Sequence, residues 1–360
     1  MARRTLVSVS AFIALTAIVA LVATVPASGQ APSAAKTNGA GAKAAYTPAK
    51  TPDGQPDLSG YWTNASYTPL QRPKGVEKEF YTPAELEELA AAVLRENARD
   101  TGTGTPRDLH YDNTQFGIDK GQATYAQNLR TSLIVDPPDG RIPSQIPEAV
   151  KRNAAIAEAR KLRGGQFDKV QNMGYDDRCI VMIGTAPPML DPGYLSTFQI
   201  IQSPGYVTIL TERLHDARVI PVDGRPFPPS NVRSWKGVSR GHWEGNTLVV
   251  ETRNSNGRIQ EAAVGPIGNG AFEGATENIR VIERFTRVDA ATIGYRFTIE
   301  DEKTWARPWS AELPFARMEQ QGPFFEHACH EGNRAPTNMM SVVRHQEKLA
   351  AEAAAKKTSN

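Results

Sequence analysis

The architecture is decided by Asn278-Ile279-Arg280-Val281-Ile282-Glu283-Arg284-Phe285-Thr286-Arg287, then Val288-Asp289-Ala290-Ala291, then Thr292-Ile293-Gly294-Tyr295-Arg296-Phe297-Thr298-Ile299-Glu300. In the second run Ile293, Tyr295, Phe297 and Ile299 fall on one side, and Thr292, Arg296, Thr298 and Glu300 on the other. In the first run Ile279, Val281, Glu283 and Phe285 share a side. A period of two with one apolar row is a strand that is wet on one face only. The four turn-forming residues between the runs make the pair an antiparallel hairpin.

Working outward, the same grammar holds from Thr197 onward. Tyr206–Glu212, Arg218–Val222, Thr247–Arg253 and Trp309–Phe315 read as further strands, and Trp243-Glu244-Gly245-Asn246-Thr247 as a tight hairpin turn. Strands joined by short turns, with no helices between them, form an antiparallel meander. Eight to ten of them close into a lipocalin-like barrel or pack as a sandwich, and the barrel is the expectation. Helices are expected before residue 165. Thr82-Pro83-Ala84-Glu85 carries a capping box and opens one, and Pro147–Arg163, stopped by Gly164-Gly165, is another. An Ala-rich helical tail runs over Val343–Lys357.

Arg3 and Arg4 precede an apolar run from Leu6 to Val25, and Val25-Pro26-Ala27 supplies small residues for cleavage. This is the pattern of a secretory leader over 1–27, with a single membrane anchor as the alternative. Residues 28–50 are Ala, Gly, Ser, Pro and Lys, a flexible linker. One β-rich domain over 51–340 follows, then a frayed tail over 341–360. Export places the protein in the periplasm or outside the cell, with no membrane span once the leader is removed. Lys and Arg total 41 and Asp and Glu 39, so loss of Arg3 and Arg4 leaves a neutral chain. Neutrality gives no reason to expect nucleic acid as a partner. The two cysteines, Cys179 and Cys329, suit one disulfide in an oxidising compartment. Closing so long a loop stabilises by about 4–5 kcal/mol on the chain-entropy account.

The chemistry is expected in the turns and on the strand faces. Glu283 is a carboxylate on an apolar row, so inside a cavity it would be a general acid or base. His215-Asp216-Ala217-Arg218 joins two strands and holds the parts for proton transfer and for gripping an anion. Arg240, His242 and Glu244 share one face of their strand and Trp243 takes the other. His327 and His330 flank Cys329, but on a strand they point oppositely, so no metal site is expected. The disulfide would pin that segment and leave a histidine facing a cavity. Trp305 and Trp309 flank Arg307-Pro308, a platform for an aromatic or sugar ligand. Gly-rich 265–274 reads as a loop that could cover a barrel mouth. Glu300 falls on the polar face, away from Glu283, which counts against a glycosidase carboxylate pair. No P-loop, dinucleotide fingerprint or Gly-x-Ser-x-Gly is present, and no cofactor is implied.

Several phrases occur together: Pro56-Asp57-Leu58-Ser59-Gly60-Tyr61-Trp62, Ile134-Val135-Asp136-Pro137-Pro138-Asp139-Gly140-Arg141, Ser239–Thr252, Thr304-Trp305-Ala306-Arg307-Pro308-Trp309 and Ala328-Cys329-His330-Glu331-Gly332-Asn333. The set, spanning roughly residues 50–335, resembles a large group of exported bacterial proteins with no assigned chemistry. The resemblance implies export and one unit; it implies no catalytic residue. The residues themselves point to a barrel that binds a small organic molecule, aromatic or terpenoid. Metal-independent acid–base chemistry would run through His215, His242 or His330, with Asp216 and Glu283 as further titratable groups. Arg218 or Arg240 would hold an anion, and Trp243, Trp305 and Trp309 would line the ligand. The alternatives are a carrier without turnover and a surface interaction module.

Overall fold

A computed structural model describes residues 46–66, 68–97, 128–192, 195–258, 272–318 and 325–358. The leader, most of the linker and most of the 265–274 loop lie outside the described residues. Ten strands form one antiparallel sheet: β1 (Gly60–Thr63), β2 (Ile134–Asp136), β3 (Thr197–Ser203), β4 (Tyr206–Thr211), β5 (Ala217–Pro221), β6 (Val238–Glu244), β7 (Thr247–Arg253), β8 (Arg280–Arg287), β9 (Thr292–Glu300) and β10 (Trp309–Arg317). Their order is β5-β4-β3-β1-β10-β9-β8-β7-β6, with β2 also paired to β10. The sheet curls into a nearly closed barrel whose unsealed seam lies between β5 and β6. Three helices, α1 (Pro83–Asn97), α2 (Pro147–Leu162) and α3 (Ala335–Thr358), complete the described chain. Among the described residues no helix is long and apolar enough to cross a membrane.

Two meanders make up the barrel, β3–β5 and β6–β10. The short strand β1 stitches them, pairing with β3 on one side and β10 on the other. Its Trp62 is fully buried, donates from Nε1 to the Leu58 carbonyl and lies against the guanidinium groups of Arg287 and Arg317. That is what the Asp57–Trp62 phrase does locally. The ion pair of Arg307 with Asp136 likewise joins β2 to the start of β10.

The alternation of the β8–β9 hairpin is realised in full. Ile293, Tyr295, Phe297 and Ile299 are at most 1% exposed, and Arg284, opposite Arg296, faces out. Inside, aromatic rings occupy the barrel. Tyr295 stacks on Phe315 with centroids 4.5 Å apart, Phe285 and Phe198 close around them, and Phe297 meets Trp309 edge-on. Trp305 and Trp309 are 3% and 0% exposed and pack edge to face. The expected ligand platform is therefore a core pair. Both belong to the hydrophobic core, where large aromatic rings are taken out of water.

The segment Val181–Asp191 is buried throughout and packs into the barrel as a plug. Its Met189 amide donates to the Tyr295 hydroxyl and its Met189 carbonyl accepts from Asn64. Asp191 accepts from the Ser66 amide and the Ser196 hydroxyl. A disulfide between Cys179 and Cys329 ties the chain just ahead of this plug to the segment leading into α3. The capping box of α1 forms: the Thr82 amide donates to Glu85 and the Glu85 amide to Thr82 Oγ1. Helix α3 begins at Ala335, eight residues before the apolar and Ala-rich pattern becomes readable.

Candidate functional site

Two clusters of the singled-out residues come together. The first lies inside the barrel at the seam. Arg218 on β5 reaches across to β8, and its two terminal nitrogens grip both oxygens of Glu283. Its Nε donates to Ser239 on β6 at 2.9 Å and its Nη2 to Thr252 on β7 at 3.0 Å. Tyr295 donates to Glu283 at 2.8 Å. Glu283 is fully buried, and burial together with that carboxylate pushes the Tyr295 phenol well above its ordinary range. A fully paired bidentate carboxylate with no exposed surface has no lone pair aimed at a substrate. Glu283 and Arg218, expected as catalyst and ligand holder, are each other's partners. The arrangement closes the seam with side chains where backbone hydrogen bonds are missing.

The second cluster lies at the plugged end. After β4 the chain turns through a short 3-10 segment, Arg213–His215, in which Leu214 and His215 both take left-handed backbone angles, φ 58° and 41°. Strain of this kind in two consecutive residues other than glycine has to be held by its surroundings, and it concentrates at functional sites. The surroundings are the His327 segment. The Leu214 amide donates to His327 Nδ1 at 3.0 Å, and His215 Nδ1 lies 3.3 Å from the His327 carbonyl. A carbonyl only accepts, so His215 Nδ1 carries a hydrogen and its Nε2 is directed away from this contact. His327 accepts at Nδ1. Burial, then the charges of Arg213 and His215, lower its affinity for a proton below the ordinary value, so the ring stays neutral. Glu212, beside them, is pushed upward by burial, opposed by hydrogen bonds from Thr197 and the Phe325 backbone. Cys329, two residues past His327, fixes this segment to Cys179.

The remaining candidates stand apart. His242 is exposed on the outer face and pairs with Glu244 at 3.0 Å. Arg240 lies on the same face and donates to the Pro226 carbonyl. Trp243 turns inward and packs against the core. Asp216 is ion-paired with Lys236, and His330 is exposed. Among the described residues no group of three or more His, Cys, Asp and Glu side chains is placed to hold a metal. Comparison of the chain with models of known protein families, with curated proteins and with solved structures gives no match. Two partners were not legible as site residues. Tyr295 belongs to the apolar row, and Glu212 is a strand-end carboxylate with no motif around it.

The two shifted groups act on stability in opposite directions. His327 has a lowered folded pKa, so its contribution is present above 6.5 and is lost as pH falls from there through the lowered value. Glu212 has a raised one, so its contribution is present below 4.5 and is lost as pH rises through the folded value. Glu212→Gln is therefore expected to raise the melting temperature at neutral pH by about 1–3 °C. His327→Gln is expected to flatten the stability profile on the acid side of 6.5. Melting curves of the two variants across that range check both signs.

Proposed function

We propose that this protein is an exported barrel that binds a small organic molecule at its plugged end and acts on it by proton transfer through His215. The observation that supports this best is the strained Leu214–His215 turn, locked by two hydrogen bonds to His327. It orients an exposed imidazole with one nitrogen tethered and the other available as a base. The partly buried Glu212 beside it is a further proton-accepting group, its carboxyl pushed upward by burial. Because aromatic side chains occupy the barrel interior, ligand binding falls to the barrel end, unlike the central ligand cavity expected of a lipocalin-like barrel.

A thermal-shift screen of the purified protein against aromatics, terpenoids and sugars tests the binding step, since a ligand for the native state raises the melting temperature by mass action. For a compound that shifts the wild type, product formation is then followed with His215→Gln. The expected result is a retained shift with turnover reduced by about 10²–10⁴-fold. Undiminished turnover in His215→Gln would overturn the assignment. A retained shift with no turnover in the wild type would make the protein a carrier.

A further inference from the structure

On the outer face of β8, β9 and β10 lies a cleft of about 370 Å³, within the size range of small-molecule sites. Its charged lining is Arg130, Arg284 and Arg296 against the single carboxylate of Glu312. Arg284 and Arg296 are direct cross-strand partners, an arrangement in which like charges repel. Each pairs with one carboxylate, Glu244 and Glu312 respectively, and Arg130 pairs with Glu79. Glu79 and Glu244 are not part of the lining, so three arginines border a cleft lined by one acid.

The floor has a shape as well as a charge. Gly294 sits between Thr286 and Pro314 in the strand register, and Val288 packs into the space its missing side chain leaves. A Cβ there would lie 3.1 Å from Val288 Cγ1. Val288 and Pro314 add apolar wall beside the arginines. We infer that this cleft is a binding site for a small organic anion, its carboxylate or similar oxyanion taken by Arg130, Arg284 and Arg296 and its apolar body lying against Val288 and Pro314. This site is separate from the His215 cluster and does not depend on it.

Isothermal titration calorimetry with benzoate, benzyl alcohol and inorganic phosphate tests the inference. Benzoate is expected to bind saturably, and both the neutral alcohol and the bare oxyanion more weakly. Arg296→Gln is expected to weaken benzoate about tenfold, the scale of one charge-assisted contact. Gly294→Val is expected to remove binding by driving Val288 off the apolar floor. Arg284→Gln reads the same site from the neighbouring strand should either variant fail to fold, and His215→Gln is expected to leave benzoate binding unchanged. Absence of saturable benzoate binding, benzoate binding that survives both Arg296→Gln and Gly294→Val, or phosphate binding as tightly as benzoate would overturn it.

Discussion

Glu283→Ala is expected to destabilise the protein by about 3–5 kcal/mol, the cost of leaving one member of a buried ion pair without its partner. The geometry accounts for the size. The carboxylate accepts from both terminal nitrogens of Arg218 and from Tyr295, and it has no contact with solvent. Truncation strands the guanidinium, whose side chain is only 11% exposed, and leaves the Tyr295 hydroxyl without its acceptor. Arg218→Ala should cost a similar amount, because it strands the carboxylate and removes the bridge from β5 to Ser239 and Thr252. The double variant Arg218→Met with Glu283→Leu should be far less harmful than the two single costs added together, since no charge is then left buried alone. Denaturant midpoints of the three variants measure this. A Glu283→Ala midpoint within about 1 kcal/mol of the wild type would mean the pair is not the closure of the seam.

The seam also explains what could be read from the sequence and what could not. Strands β4, β5, β7, β8, β9 and β10 were legible, most directly β4, β8 and β9, where one face is dry and the other wetter and sequence reports that contrast. Strands β1 and β2 are four and three residues long, too short to show a period. Their places depend on partners far along the chain. Glu283 was legible as an inward carboxylate, since alternation assigns faces. That its partner is Arg218 was not, because the pairing arises where the two ends of the sheet meet. The same holds for the histidines. His215 and His327 each stood out alone, yet a carbonyl and an amide bring them together across 112 and 113 positions of sequence. Trp305 and Trp309 went the other way. A cation between two tryptophans reads as a platform only until the core beneath them is counted.

Removing the disulfide should have an effect as large as breaking the buried pair, and one that reaches the candidate site. The bridge closes a loop across 150 positions, which the chain-entropy account values at about 4–5 kcal/mol. Its second consequence is local. The described residues after Met318 resume at Phe325, and within that segment Cys329 is the covalent tie two residues from His327. Asn333 supports the same junction, donating to the Asp177 carbonyl and to Cys179 Sγ. In Cys179→Ser with Cys329→Ser, the His327 segment loses its covalent tie and is left with hydrogen bonds such as these, and the left-handed Leu214–His215 turn loses a fixed neighbour. The turn should then relax toward ordinary angles. Global melting should fall, and amide exchange at Leu214 and His215 should speed up by more than the global loss accounts for. Exchange at those two amides slowed or unchanged relative to the core strands would show that the turn is held by β4 and Thr211 alone. The disulfide would then stabilise the fold without shaping the site.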